Sequence, residues 1–227
     1  MIPLRDHNPR ATFPFFTLLL ILSNVLLFLY ELSLPAAATE QFLYRYGMVP
    51  ARVELLFDTG AVTIRQAFAP LLTSIFLHAG WLHLIGNMWF LWVFGDNIED
   101  RFGHFNFLLF YLFCGVGAGL IHTLTNAGSV IPAVGASGAI SGVLGAYLAL
   151  YPGARILTLI PLGLLFFTVR LPAVVMLGLW FVVQFVSGVA ILGQEATGGV
   201  AWWAHIGGFI LGLAIGLLSR SQSSRVS

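Results

Sequence analysis

Charged residues are scarce in this sequence. They make up 8% of the 227 residues, whereas hydrophobic residues make up 59%, and the mean hydropathy is +0.93. A water-soluble domain does not need so apolar a composition to form its core, so the chain belongs in a lipid bilayer. Lysine is absent and all ten basic residues are arginines, with a net charge of +1 and no basic run. This composition excludes nucleic acid as a partner.

Cysteine is almost absent too. Cys114 is the only one and lies in an apolar run, which excludes an intrachain disulfide and any cysteine-based zinc site. The metalloprotease signature His-Glu-x-x-His does not occur. The sequence therefore excludes a zinc protease of that kind and predicts no metal site.

Acidic residues are missing from the middle of every long apolar run. All nine Asp and Glu lie in the termini, in loops or at the ends of the runs. An intramembrane aspartyl protease needs two aspartates inside spans, and a proton- or sodium-coupled transporter needs an acidic residue there. Neither function is favoured, and no carboxylate is expected to orient a histidine from within a span.

The scarce charges divide the chain into apolar segments. A helical span needs roughly twenty mostly apolar residues, and the first run is about that long with no signal-peptide cleavage site after it, so it is expected to be retained. The sequence predicts an all-α bundle of six transmembrane helices within residues 11–219, flanked by short termini at 1–10 and 220–227. The six spans are 11–30, 81–95, 105–124, 137–151, 171–192 and 201–219.

Two intervening segments are not predicted to span. Residues 31–78 contain charges among short apolar stretches, which predicts a long, partly helical loop at the membrane interface. Residues 154–170 are compatible with a short extra span or an interfacial segment, and the second is favoured. Arg45, Arg52 and Arg65 lie in the long loop and the other seven arginines on the opposite face, which predicts that both termini are cytoplasmic.

Unusual polar residues occur where the second, fourth and sixth spans begin. These starts share one depth near the outer face, and they carry His83 with Asn87, Ser137, and His205. Polar groups at membrane depth are costly and point to function.

Ser137 is the candidate nucleophile, and the adjacent Gly135 and Gly138 are expected to support the site. It lies in Gly135-Ala136-Ser137-Gly138 at a predicted helix start, where free backbone N–H groups and the helix dipole can bind an oxyanion. The alternative is that Ser137 only caps the helix.

His205 is the candidate base. It begins a ladder of small residues that matches a second ladder following Ser137, so the two helices can approach closely enough for a direct Ser137–His205 hydrogen bond. The alternative is a structural, hydrogen-bonding histidine. The two ladders are Ala204, Gly208, Gly212 and Gly216, and Gly138, Gly142 and Ala146.

His83 and Asn87 are four residues apart and share one helix face. With the Ser137 N–H, their side chains would form an oxyanion hole. The alternative is a polar clasp between helices. His78 is expected to support the loop that enters this helix by hydrogen bonding.

These motifs together resemble the rhomboid family of intramembrane serine proteases. The matching stretches are His83-Leu84-Ile85-Gly86-Asn87, Gly135-Ala136-Ser137-Gly138 and His205-Ile206-Gly207-Gly208. The resemblance implies a six-helix bundle, a Ser137–His205 dyad, an oxyanion hole from His83, Asn87 and Ser137, single-span membrane proteins as substrates, and no cofactor. Some members stack an aromatic residue, one turn after the nucleophile, on the histidine, but Ser141 occupies that position here.

The fifth predicted helix and the loop that follows it form the candidate gate. The helix lacks a small-residue ladder, carries Trp180 and Phe181, and leads into a glycine-rich loop at residues 193–199. Trp180 and Phe181 are expected to pack the gate shut. The alternative is that both rings face lipid.

The sequence thus predicts a multi-pass serine endopeptidase, in a bacterial plasma membrane, whose active site opens to the outer face. The runner-up function is a non-enzymatic binder or chaperone of membrane helices built on the same bundle.

Overall fold

The computed structural model describes residues 1–162, 165–190 and 200–223. A helical bundle dominates it, with one small sheet. The helices are α1 (Phe15–Ser33), α2 (Ala36–Tyr46), α3 (Ala51–Asp58), α4 (Ile64–Phe68), α5 (Pro70–Thr73), α6 (Trp81–Phe102), α7 (His104–Thr125), α8 (Ser137–Leu150), α9 (Ala173–Ala190) and α10 (Trp202–Ser223), with a 3-10 turn at Ser74–Phe76.

Several of these helices can cross a membrane. Among the described residues, α1, α7, α9 and α10 are long and apolar enough, and a fifth span results if α6 is joined to Ile64–Phe76 across a 76° bend. Helix α8 is apolar but only 14 residues long. The prediction of a helical, polytopic membrane bundle is confirmed, while the count of six spans stays a prediction.

The long loop at residues 31–78 is partly helical, as predicted. It contains α2 to α5, and α4 begins at a reciprocal cap in which Thr63 Oγ1 accepts from Gln66 N and Gln66 Oε1 accepts from Thr63 N at 2.8 Å. Such a capping box satisfies backbone donors that a helix start leaves free.

A small antiparallel sheet forms at the end of α8 remote from Ser137. Its order is β1 (Ile2–Asp6), β2 (Arg155–Leu162), β3 (Leu165–Pro172). The described residues of the segment 154–170 are therefore two paired antiparallel strands and not an extra helical span. Pro161 disfavours a helix, and β-branched residues such as Ile156 and Val169 favour strands. The all-α prediction holds for the bundle and did not include this sheet.

Helix α8 is the centre of the core. Eleven of its residues are buried, and α10 packs directly on it. A Cβ at Gly208 would lie 2.0 Å from the carbonyl oxygen of Gly138, and one at Gly212 would lie 1.8 Å from that of Gly142. Only glycine permits backbones this close. The predicted close approach of the two ladders is confirmed.

Candidate active site

Ser137 is the first residue of α8 and is partly exposed. The chain enters the helix through Gly135, whose φ is +130°, a conformation that glycine adopts far more readily than other residues. A Cβ at Gly135 would lie 2.7 Å from Nε2 of His83 and 3.6 Å from Oγ of Ser137. The missing side chain therefore lets the His83 ring approach the serine.

His205 lies in the first turn of α10 and meets Ser137 directly. The distance from Nε2 of His205 to Oγ of Ser137 is 2.7 Å, which is hydrogen-bonding distance. His205 is 9% exposed. The structure thus brings together the predicted nucleophile and the predicted base, from helices far apart in sequence.

The second ring nitrogen of His205 contacts a residue that the sequence reasoning missed. Nδ1 lies 2.6 Å from Oε1 of Gln184 in α9. A carboxamide oxygen only accepts hydrogen bonds, so this contact is a hydrogen bond in the tautomer that carries the proton on Nδ1 and leaves Nε2 as the acceptor for the Ser137 hydroxyl. The feature of the sequence that could have identified Gln184 is an amide side chain within an otherwise apolar helix.

Aromatic rings enclose the histidine. The Trp180 ring lies 6.1 Å from the imidazole at 32°, and the Trp202 ring lies 6.3 Å away at 82°. Trp180 and Phe181 also pack on Phe209 of α10, at 5.9 Å and 4.7 Å between ring centroids. The two residues predicted to form the gate therefore face α10, while the loop at 193–199 lies outside the described residues.

His83 and Asn87 share one face of α6, as their spacing predicts. His83 is partly buried against Gly135, and Asn87 is 8% exposed. In the described part of the chain Nδ2 of Asn87 has no hydrogen-bond partner. The amide therefore keeps an unused hydrogen-bond donor.

His78 is buried behind His83. Their ring centroids are 5.1 Å apart, edge to face, and the backbone N–H of His78 donates to Oε2 of Glu31 at 3.4 Å. The imidazole nitrogens of His78 have no hydrogen-bond partner among the described residues. Support of the loop by His78 thus involves its backbone and its ring contact.

A fully buried carboxylate lies at the opposite end of α6. Glu99 accepts from the backbone N–H of Phe16 at 2.9 Å and of Thr17 at 2.7 Å, which caps the start of α1. The carboxylate also contacts the imidazole of His104, whose Nδ1 lies 2.6 Å from Oε1 of Glu99. Glu99 therefore stabilises the packing of α6 on α1. The side chain that contacts His205 is the amide of Gln184 and not a carboxylate.

A bundle of apolar helices that encloses a serine–histidine pair defines a polytopic integral membrane protein with the groups of a serine hydrolase. Comparison with known proteins agrees, because a model of the Rhomboid domain matches residues 65–222. The chain belongs to the rhomboid family.

Three relatives illustrate the similarity. The chain is 32% identical to the rhomboid protease GluP of Bacillus subtilis over 93% of its own length and 36% of that protein. It is 28% identical to RHOMBOID-like protein 1 of Arabidopsis thaliana over 92% of its length and 54% of that protein. It is 43% identical to the chloroplastic Rhomboid-like protein 11 of the same plant over 34% of its length and 27% of that protein. The chain thus spans between about a quarter and about half of these relatives.

Proposed function

We propose that this protein is an intramembrane serine endopeptidase that cleaves transmembrane segments of single-span membrane proteins. The observation that carries the proposal is the 2.7 Å contact between Oγ of Ser137 and Nε2 of His205. A nucleophile and a base in hydrogen-bond contact, with the base oriented by a third group, are the arrangement that activates a hydroxyl. The similarity to a relative named a rhomboid protease supports the same reaction.

The reaction would proceed through an acyl-enzyme. His205 removes the Ser137 proton through Nε2 as Oγ attacks the scissile carbonyl, and the imidazolium then gives that proton to the leaving amine. Water deprotonated by His205 attacks the ester, and Ser137 leaves with its proton restored. The backbone N–H of Ser137 and the side chains of His83 and Asn87 would stabilise the oxyanion in both steps.

The short length of α8 supports cleavage within the membrane. A helix of 14 residues is about 21 Å long, whereas the hydrocarbon core of a bilayer is about 30 Å thick. If Leu150 reaches one face of that core, Ser137 lies below the other face by several ångströms. A substrate would enter sideways from lipid, and water would enter from the nearer face.

We further propose that the protein resides in a bacterial plasma membrane with both termini cytoplasmic and the site open to the outer face. Arg5, Arg155 and Arg170 lie on the sheet at the end of the bundle remote from Ser137, as the positive-inside rule requires. A membrane-impermeant maleimide applied to intact cells should label Phe57→Cys, a position 74% exposed, and not His7→Cys. The reverse pattern would refute this orientation.

The decisive experiment compares variants of the two central residues. Ser137→Ala and His205→Ala should each abolish cleavage of tagged single-span proteins and labelling by a fluorophosphonate, because the two residues act as a unit. Both should remain folded and inserted. Ser23→Ala is the matched control, since that hydroxyl donates to the backbone oxygen of Leu19 within α1.

Substantial cleavage by either variant would refute the assignment. The alternative, a binder or chaperone of membrane helices, would be favoured by a different result. In that case the wild-type protein would not be labelled and would not cleave, yet would retain single-span proteins during purification.

A further inference from the structure

Gln184 occupies a position that packing alone does not explain. It is 7% exposed within α9, a helix whose neighbouring side chains, such as Val183 and Phe185, are exposed and apolar. Burying a carboxamide in such surroundings is costly unless it is hydrogen-bonded. Among the described residues, the oxygen of Gln184 has one hydrogen-bond partner, Nδ1 of His205, at 2.6 Å.

A second contact from the same helix face supports a role at His205. Trp180 precedes Gln184 by one helical turn, so both side chains project toward α10. The indole lies 6.1 Å from the imidazole while the amide binds its edge. The two residues constrain the tilt and the rotation of one ring.

We propose that Gln184 is a positioning residue that selects the tautomer of His205 and so keeps Nε2 free to accept the Ser137 proton. The proposal deepens the proposed function and rests on it. In the other tautomer Nε2 would carry a hydrogen, would donate to Oγ of Ser137, and could not act as the base. Gln184 itself neither gains nor loses a proton in the reaction.

The choice of an amide over a carboxylate suits the surroundings. An ionised carboxylate at this position would place a charge in a low-dielectric bundle, where an unpaired charge is costly. A neutral amide oxygen orients the imidazole without that cost. The amide dipole still points its negative end at Nδ1 when His205 becomes an imidazolium.

The test compares an isosteric change that removes the acceptor with a conservative change that keeps one. Gln184→Met should lower kcat by at least about 10-fold, and by less than the roughly 10⁴-fold that a wrong tautomer costs a carboxylate triad, with KM little changed. Gln184→Glu keeps an oxygen at the same distance along the side chain in either protonation state, so its kcat should stay within a few-fold of the wild type. Val183→Ala, at a position 57% exposed on the same helix, is the control and should retain wild-type kcat.

A spectroscopic measurement makes the result independent of turnover. ¹⁵N NMR of histidine-labelled protein, with the His205 signals assigned by their loss in His205→Ala, should show a protonated Nδ1 and an unprotonated Nε2. In Gln184→Met the two tautomers should mix or invert. An unchanged tautomer with wild-type kcat in Gln184→Met would overturn the proposal.

Two further outcomes separate this proposal from the function on which it rests. Equal losses in Gln184→Met and Gln184→Glu, accompanied by reduced thermal stability, would mean that Gln184 only fills space and would overturn the positioning role. If the wild type shows no Ser137-dependent cleavage, the protease function fails. The tautomer comparison between wild type and Gln184→Met still decides whether Gln184 positions His205.

Discussion

The conformation of Gly135 decides how His83 reaches Ser137. Its φ of +130° and the 2.7 Å that would separate a Cβ from the His83 ring exclude larger residues for two independent reasons, strain and clash. Gly138, also predicted to support the site, has a different role, since its Cβ would lie 2.7 Å from that of Ala118. One glycine shapes the loop before the serine, and the other allows α7 to pack on α8.

The proposed oxyanion hole makes a graded prediction. His83→Ala or Asn87→Ala should lower kcat by roughly 10²-fold while slow fluorophosphonate labelling persists, because the Ser137 N–H survives each change. Steady-state cleavage of one tagged substrate measures the effect. Asn106→Ala is the matched control, since that amide is exposed and donates to the backbone oxygen of Phe102. Wild-type kcat in Asn87→Ala would instead indicate a polar clasp between helices.

At the scale of helices, the contact between α8 and α10 and the contact between α9 and α10 differ in kind. Backbone meets backbone at Gly138 and Gly208, so at this point no side chain lies between α8 and α10 that could rearrange. Aromatic rings form the second, with Phe181 and Trp180 on Phe209. A helix held by side chains can move away at lower cost, which supports the proposal that α9 belongs to the gate.

The two aromatic residues of α9 should nevertheless behave differently when shortened. Phe181→Ala should raise turnover of a membrane-embedded substrate more than that of a soluble peptide, because it loosens α9 without touching His205. Trp180→Ala should slow both substrates, since that ring also packs on the imidazole. The loss of packing should stay below the roughly 3–5 kcal/mol that a fully buried aromatic costs, because both rings are partly exposed.

Leu179→Ala is the control for the gate experiment, because that side chain is 48% exposed on the same helix. Equal or reduced rates for both substrates in Phe181→Ala would refute a gate at this position.

At the scale of the whole molecule, the N-terminal strand connects the sheet to the bundle. Tyr147 of α8 donates through its hydroxyl to Oδ2 of Asp6 at 2.8 Å. The pKa of Asp6 is raised from 3.8 to about 6, chiefly because burial disfavours the ionised carboxylate; the Tyr147 hydrogen bond lowers this pKa and the nearby Asp96 raises it. The folded protein therefore binds this proton more tightly than the unfolded chain does.

This raised pKa predicts a pH dependence of stability with a definite sign. The contribution of Asp6 should be present below about pH 4 and lost as the pH rises through about 6, because the folded state holds more protons in that window. Asp6→Asn should remove this part of the slope when thermal unfolding is followed at several pH values. Asp58→Asn, an exposed carboxylate in α3, is the control, and an unchanged slope in Asp6→Asn would contradict the prediction.

Much of this molecule follows from its sequence by itself. Because an unpaired polar group in lipid is costly, the scarce charges and long apolar runs determine that these segments cross the membrane as helices. The matched spacing of Gly138 with Gly142 and of Gly208 with Gly212 determines that two helices touch, since only small residues let backbones approach. The motifs at His83, Ser137 and His205 follow from residue type and position alone.

Tertiary structure decided what depends on the rotation of a helix and the path of a loop. Gln184 and His205 are 21 positions apart, and apolar composition does not encode which face of α9 turns toward α10 when most of its faces are equally hydrophobic. Likewise Ile2 pairs with Leu159 in the sheet, and nothing local to either strand identifies the other. Hydropathy determines which segments enter the membrane, whereas the partner of each buried polar group is set by packing between distant segments.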